Sequence, residues 1–169
     1  MTARSVLVLV SLLHLGPGCA QHDCIPGPAQ ALYVEGLGPG GYGSVNYERA
    51  VTHIRGVHVH ARVGLGAERF KDFTRAFNPD LTFPIGVLFT RGQRWQPEMG
   101  GGATITSFVY PDVRDFLPER RQALHVWLNA GVRYAPAFQG LLFRAGYTPL
   151  IEFGRWRHWG GLSVGYMFR

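Results

Sequence analysis

His58-Val59-His60 is the pair in this chain whose type and spacing most invite chemistry. Residues two apart on a β-strand project to the same side, so the two imidazoles could share a metal ion. The further ligands would have to come from nearby His53 or from distant His125 or Glu98. Hydrogen bonding of these histidines to interior charges is the favoured reading, and no metal or other cofactor is assigned. Nucleophilic catalysis needs a hydroxyl or thiol beside an oriented base. Gly161-Leu162-Ser163-Val164-Gly165 has the Gly-x-Ser-x-Gly spacing but lies inside an alternating segment and not at the strand-to-helix turn of a nucleophile elbow. Ser44 and Ser107 lack the spacing, and no serine follows a histidine in a His-x-Ser pair, so no catalytic residue is assigned. Gly100-Gly101-Gly102 lacks the Lys and helix of a phosphate loop and sits inside an alternating segment, where close backbone packing explains it.

The remaining chemistry is charge. Glu35, Glu48 and Glu98 share one face of the alternating segments with Arg62, Arg133 and Arg144, and His58, His60 and His125 fall among them. Mixed signs on one face suit an enclosed interior, because a buried charge is tolerable only when paired and hydrogen-bonded. These nine residues are expected to form a polar network inside a barrel.

The elements that must position them read as eight strands with period-two alternation: 31–38, 42–50, 57–68, 81–90, 95–106, 123–135, 140–151 and 159–168. The third is the cleanest, with Val57, Val59, Ala61, Val63 and Leu65 opposed by His58, His60, Arg62, Gly64 and Gly66. Turn residues such as Gly38-Pro39-Gly40-Gly41 and Arg91-Gly92-Gln93-Arg94 separate the segments. Each is close to the 9–11 residues that a tilted membrane strand needs.

Alternation alone does not separate a membrane barrel from a soluble one of the lipocalin type. The polar face, however, is rich in Gly, Ser, Thr and Asn, and Lys71 is the sole lysine of the chain, whereas a water-facing surface carries Lys and Glu in quantity. The connections after strands three and five are long and those after strands two, four and six short, as in outer-membrane barrels. Trp95, Tyr110, Trp156, Trp159, Tyr166 and Phe168 fall near strand ends, where interfacial girdles belong.

Composition agrees: charged residues make up 17% and aromatics 13%, with 23 Gly, a β-rich rather than a soluble helical profile. The net charge of +6 comes from scattered arginines with no basic run, which excludes the footprint of a nucleic-acid binder and favours anionic lipid headgroups. Arg4, the apolar run from Val6 to Leu15 and the small residues to Ala20 have the pattern of a secretory signal over 1–20, cleaved after Ala20. Cys19 offers a lipoprotein alternative, although Gly16 stands where a Leu is expected. A leader over 21–30 and a barrel over 31–169 complete the organisation, and Cys24, left alone after cleavage, makes no internal disulfide.

Leu32-Tyr33-Val34-Glu35, Ser44-Val45-Asn46-Tyr47-Glu48-Arg49, the stretch from Phe143 to Ile151 and that from Gly161 to Phe168 together resemble the opening and closing strands of small outer-membrane β-barrel proteins of Gram-negative bacteria, of the OmpA/OmpX-type architecture. In such barrels the closing strand ends on an aromatic residue, and here Arg169 follows Phe168. The expectation is an all-β, eight-stranded antiparallel up-and-down transmembrane β-barrel with a polar, side-chain-filled interior and no open pore. It would be a monomer in the bacterial outer membrane, with a structural or surface-interaction role and its outward face on loops 68–80 and 107–122. Its partners would be outer-membrane lipids and, through strand 159–168, the barrel-assembly machinery. Two alternatives stand beside it: a lipid-modifying enzyme with a rim site, and a soluble periplasmic lipocalin-like carrier.

Overall fold

The computed structural model describes residues 29–71, 75–111, 118–136, 139–152 and 154–168. The expected signal, Cys19, Cys24 and nearly all of the leader lie outside the described residues. Ten β segments follow one another: β1 (Gln30–Gly38), β2 (Gly41–Ile54), β3 (Val57–Lys71), β4 (Phe77–Arg91), β5 (Trp95–Pro111), β6 (Pro118–Tyr134), β7 (Gly140–Tyr147), β8 (Leu150–Glu152), β9 (Arg155–Arg157) and β10 (Gly160–Phe168). Every pairing is antiparallel, and the sheet closes on itself through β1 with β10 and β5 with β6.

The ten segments make eight barrel strands. Against β6, Tyr147 stands opposite Ala130 and Leu150 opposite Trp127, a single register that runs from β7 into β8. Thr148 and Pro149 interrupt the ladder between them, since proline has no N–H to donate, yet the Pro149 carbonyl still accepts from the Leu128 amide at 3.1 Å. β9 and β10 are joined in the same way, with Arg157 opposite Leu150 and Gly160 opposite Tyr147. The fold is a closed, eight-stranded, antiparallel up-and-down β-barrel.

Alternation decides which side chains enter. Tyr33, Glu35, Ser44, Asn46, Glu48, Arg62, Thr82, Glu98, Thr104, Trp127, Asn129, Arg133 and Arg144 are buried, while Leu32, Val34, Val45, Leu65, Ile85, Phe89, Leu124 and Val164 are exposed. The apolar face is outside and the polar face inside, the reverse of a water-soluble domain. A small apolar cluster, Ala31, Tyr33, Ala135, Leu142 and Met167, fills the interior near one end.

Gln30 pairs with Phe168, so the first and last strands meet at that end, called here the terminal end. The turns at 55–56, 92–94 and 135–139 lie there as well. The opposite end carries the connections at 39–40, 72–76, 112–117 and 153–154.

Four expectations need correcting. The second strand does not stop at 50 but runs to Ile54, past a bulge at Val51 that shifts the register between Ala50 and Thr52. The stretches 68–80 and 107–122, expected as loops, are mostly ladder: β3 reaches Lys71, β4 starts at Phe77, and β5 pairs with β6 as far as Pro111 opposite Pro118. Beyond the apolar belt neither face of a hairpin needs to be apolar, so alternation fades while the ladder hydrogen bonds persist. Much of the length of these two connections is therefore hairpin ladder and not loop. Lastly, the seventh strand is split at Thr148-Pro149, and Trp159 precedes β10 instead of opening it.

Candidate functional site

The barrel interior holds the polar groups that the alternation collects. β1 supplies Tyr33 and Glu35, β2 Asn46 and Glu48, β3 His60 and Arg62, β5 Glu98, β6 Trp127, Asn129 and Arg133, and β7 Arg144. Arg62 Nη2 donates to Glu35 Oε2, and Asn46 Oδ1 accepts from both Arg62 Nε at 3.2 Å and Nη2 at 2.9 Å. Asn46 in turn donates to Ser44 Oγ at 2.9 Å, and Ser163 Oγ donates to Glu35 Oε1 at 3.3 Å. The other face of the Arg62 guanidinium is aromatic, 5.5 Å from the Tyr33 ring centroid and 5.4 Å from that of Trp127. Cation–π contact lets a buried guanidinium use the face that has no hydrogen-bond acceptor.

A second cluster joins the opposite wall. Arg133 Nη1 donates to Glu48 Oε1 at 2.5 Å, and Arg133 Nε lies 3.2 Å from Glu98 Oε2. Arg144 Nη2 donates to Glu98 Oε1, its Nη1 stands 3.8 Å from Glu48 Oε2, and its guanidinium lies 4.7 Å from the Tyr33 ring. Asn129 Nδ2 donates to Glu98 Oε1 at 2.7 Å and its Oδ1 accepts from Thr148 Oγ1 at 3.2 Å. His60 Nδ1 donates to Glu48 Oε1 at 3.0 Å, and its Nε2 faces Thr90 Oγ1 at 3.0 Å. Three carboxylates and three guanidiniums thus neutralise one another across the lumen.

Two of the nine sequence-assigned residues lie toward the mouths of the barrel. His58 stacks on His53 with ring centroids 4.4 Å apart at the terminal mouth, and its ring centroid is 6.3 Å from that of His60. Among the described residues no group of three or more His, Cys, Asp or Glu is placed to hold a metal. His125 lies near the opposite mouth, beside Thr104, Thr106, Arg157 and Trp159.

Sequence reasoning did not identify the plug at that opposite mouth. The turn after β1 folds inward, so that Gly38, Pro39 and Gly40 are all buried. Thr104 Oγ1 donates to the Pro39 carbonyl at 2.8 Å, Thr82 Oγ1 to that of Gly40 at 2.7 Å, and Trp159 Nε1 to that of Gly38 at 2.9 Å. Leu37 at φ 56° and Gly41 at φ 87° supply the left-handed bends that turn the hairpin in. Trp159 is therefore a lumen-capping donor and not a member of an interfacial girdle. The Gly-rich sequence marks the turn, but the donors that hold it come from β4, from β5 and from the link between β9 and β10.

The triple glycine also finds its place. Trp127 is fully buried, and a Cβ on Gly86 would lie 2.3 Å from its Cζ2, one on Gly102 2.7 Å. Gly86 and Gly102 face each other across the β4/β5 ladder and the Trp127 indole lies against both, while at Gly102 the Ile85 carbonyl would stand nearer still, at 2.0 Å from a Cβ.

No family model matches the chain, and no curated protein is similar to it in sequence. Among solved structures, the N-terminal β-barrel domain of Pseudomonas aeruginosa OprF is similar at a TM-score of 0.56 and 12% identity, over 83% of this chain and 96% of that one. Neisserial surface protein A (NspA) is similar at a TM-score of 0.48 and 12% identity, over 83% of this chain and 93% of that one. The likeness to the OprF domain is one of fold, an eight-stranded barrel of the OmpA/OmpX type.

Proposed function

We propose that this chain is an integral outer-membrane β-barrel with a structural or surface-interaction role, closed to diffusion along its axis. The observation that carries the reading is the inverted burial: Leu32, Val34, Leu65, Leu124 and Leu162 are all more than half exposed, while Arg62, Arg133 and Glu48 are 1–2% exposed. In water this arrangement would expose a continuous apolar belt and bury charge, whereas in a bilayer the belt meets acyl chains and the closed ladder satisfies every strand. A soluble carrier of the lipocalin type would need the reverse pattern and an open apolar cavity. The fold shared with the OprF domain supports the same placement. By analogy with barrels whose termini face the periplasm, the terminal end is the inner one and the β3/β4 and β5/β6 hairpins point outward.

Fractionation of cells expressing the full chain, with heat-modifiability on a gel, tests the placement. The expected outcome is recovery in the detergent-extracted outer-membrane fraction with a faster-migrating unboiled form. Recovery in the periplasm without detergent would overturn it.

A further inference from the structure

The terminal mouth of the barrel is not filled to its rim. A recess of about 400 Å3 opens there, between the His58/His60 start of β3, Thr90 of β4, the 92–96 turn and start of β5, and Arg133 of β6, with Ala29, Ala50, Pro136 and Met167 as its apolar wall. That volume is within the range of small-ligand sites, which combine an apolar wall with a few convergent polar groups.

Apart from the Thr90 hydroxyl, the polar residues that line it are bearers of N–H groups. His58, His60, Gln93, Arg94, Gln96 and Arg133 all carry N–H donors, and no carboxylate lines the recess. Some of these donors are already engaged: His60 holds Glu48 and Thr90, and Gln96 Nε2 donates to the Gln93 carbonyl at 2.7 Å. Arg133, 2% exposed, is held by Glu48 through Nη1 and lies beside Glu98 through Nε, while its Nη2 has no hydrogen-bond partner among the described residues. Arg94 is exposed on the turn at the rim. Around the same end stand Arg49, Arg55 and Arg91, whereas Glu68, Asp80 and Glu119 all lie toward the other end. Among the described residues no acidic group stands at the rim of the terminal end, and Glu48 beneath it is paired with Arg133 and His60, so the exposed arginines give the mouth a positive field that concentrates anions there.

We propose that this recess is a binding site for a small organic anion, a phosphate or carboxylate on a compact body. The charged group would sit between Arg94 and Arg133, where planar guanidiniums favour oxyanions, and the body would lie on the Ala29, Pro136 and Met167 wall. The anionic group could belong to a free solute or to the headgroup of a neighbouring phospholipid.

Calorimetric titration of the refolded full chain in a zwitterionic detergent with glycerol 3-phosphate tests this. Saturable binding in the millimolar range or tighter is expected, weakened at least tenfold by Arg94→Gln and unchanged by Arg121→Gln at the far end. Arg94→Gln should fold, because the Arg94 contribution to the barrel is its carbonyl, which accepts from the Ala135 amide at 2.8 Å and is kept; heat-modifiability checks that it has. Repeating the titration in phosphatidylcholine nanodiscs with and without phosphatidylglycerol separates the sources. Loss of binding in the anionic discs assigns the site to a lipid headgroup, and retention assigns it to a soluble anion. Absence of saturable binding by the unaltered chain, or equal affinity in folded Arg94→Gln, would overturn the site.

Discussion

Arg62 shows what a single side chain does in this interior. It is held by Glu35 and Asn46 on its edge and by Tyr33 and Trp127 on its face, so its removal strands a buried carboxylate. Arg62→Met is expected to lower stability by about 3–5 kcal/mol, and the double variant Glu35→Gln/Arg62→Met to regain most of that loss. Urea unfolding of the refolded barrel measures both, and equal loss in the single and double variants would show that the pair is not the cause. Gly86→Ala should cost about 1–3 kcal/mol by the same measurement, because its Cβ would meet the Trp127 ring at 2.3 Å. At this scale the sequence was informative about side and sign: alternation put Glu35, Glu48, Glu98, Arg62, Arg133 and Arg144 on one face. It could not pair them, since Arg133 meets Glu48 only because the sheet closes and brings β6 across from β2. His125 was grouped with them for the same reason, as strand position fixes the face but not the depth along the axis.

Among the elements, those bearing the apolar belt were legible, and those that extend past it were not. β3 is legible from its unbroken Val, Ala and Leu series, but its last residues, and all of 77–80 and 118–122, carry no such series and read as loops. Prolines at 79, 111 and 118 add to the loop-like pattern of these stretches, although edge and end positions of a ladder tolerate them. The hairpins that result are the parts of the barrel that should stand clear of the bilayer. In a Cys24→Ser background, Arg121→Cys is expected to react with a membrane-impermeant maleimide on intact cells, and Arg55→Cys, in the β2/β3 turn, only after the outer membrane is permeabilised. The converse labelling would invert the orientation.

At the scale of the whole molecule, the charged lumen and the inward Gly38–Gly40 turn obstruct the axis of the barrel among the described residues. Planar-bilayer recordings of the refolded protein are expected to show no steady single-channel conductance. Glu48→Ala should not create one, because the Thr82, Thr104 and Trp159 contacts to the turn remain. A stable conductance in the unaltered chain would refute the plugged interior. The seam between β1 and β10 carries a further consequence, in time rather than in space. Glu35 and Ser163, 128 residues apart, face each other across it, so the ring cannot shut until the end of the chain has arrived. Until then β1 and the newest strand are both open edges, and the belt has no matching lumen to enclose. Loop-closure entropy makes so distant a pairing slow. Folding should therefore be limited by one late zippering event, and a chain shortened before Gly160 should remain an unclosed sheet rather than a smaller barrel.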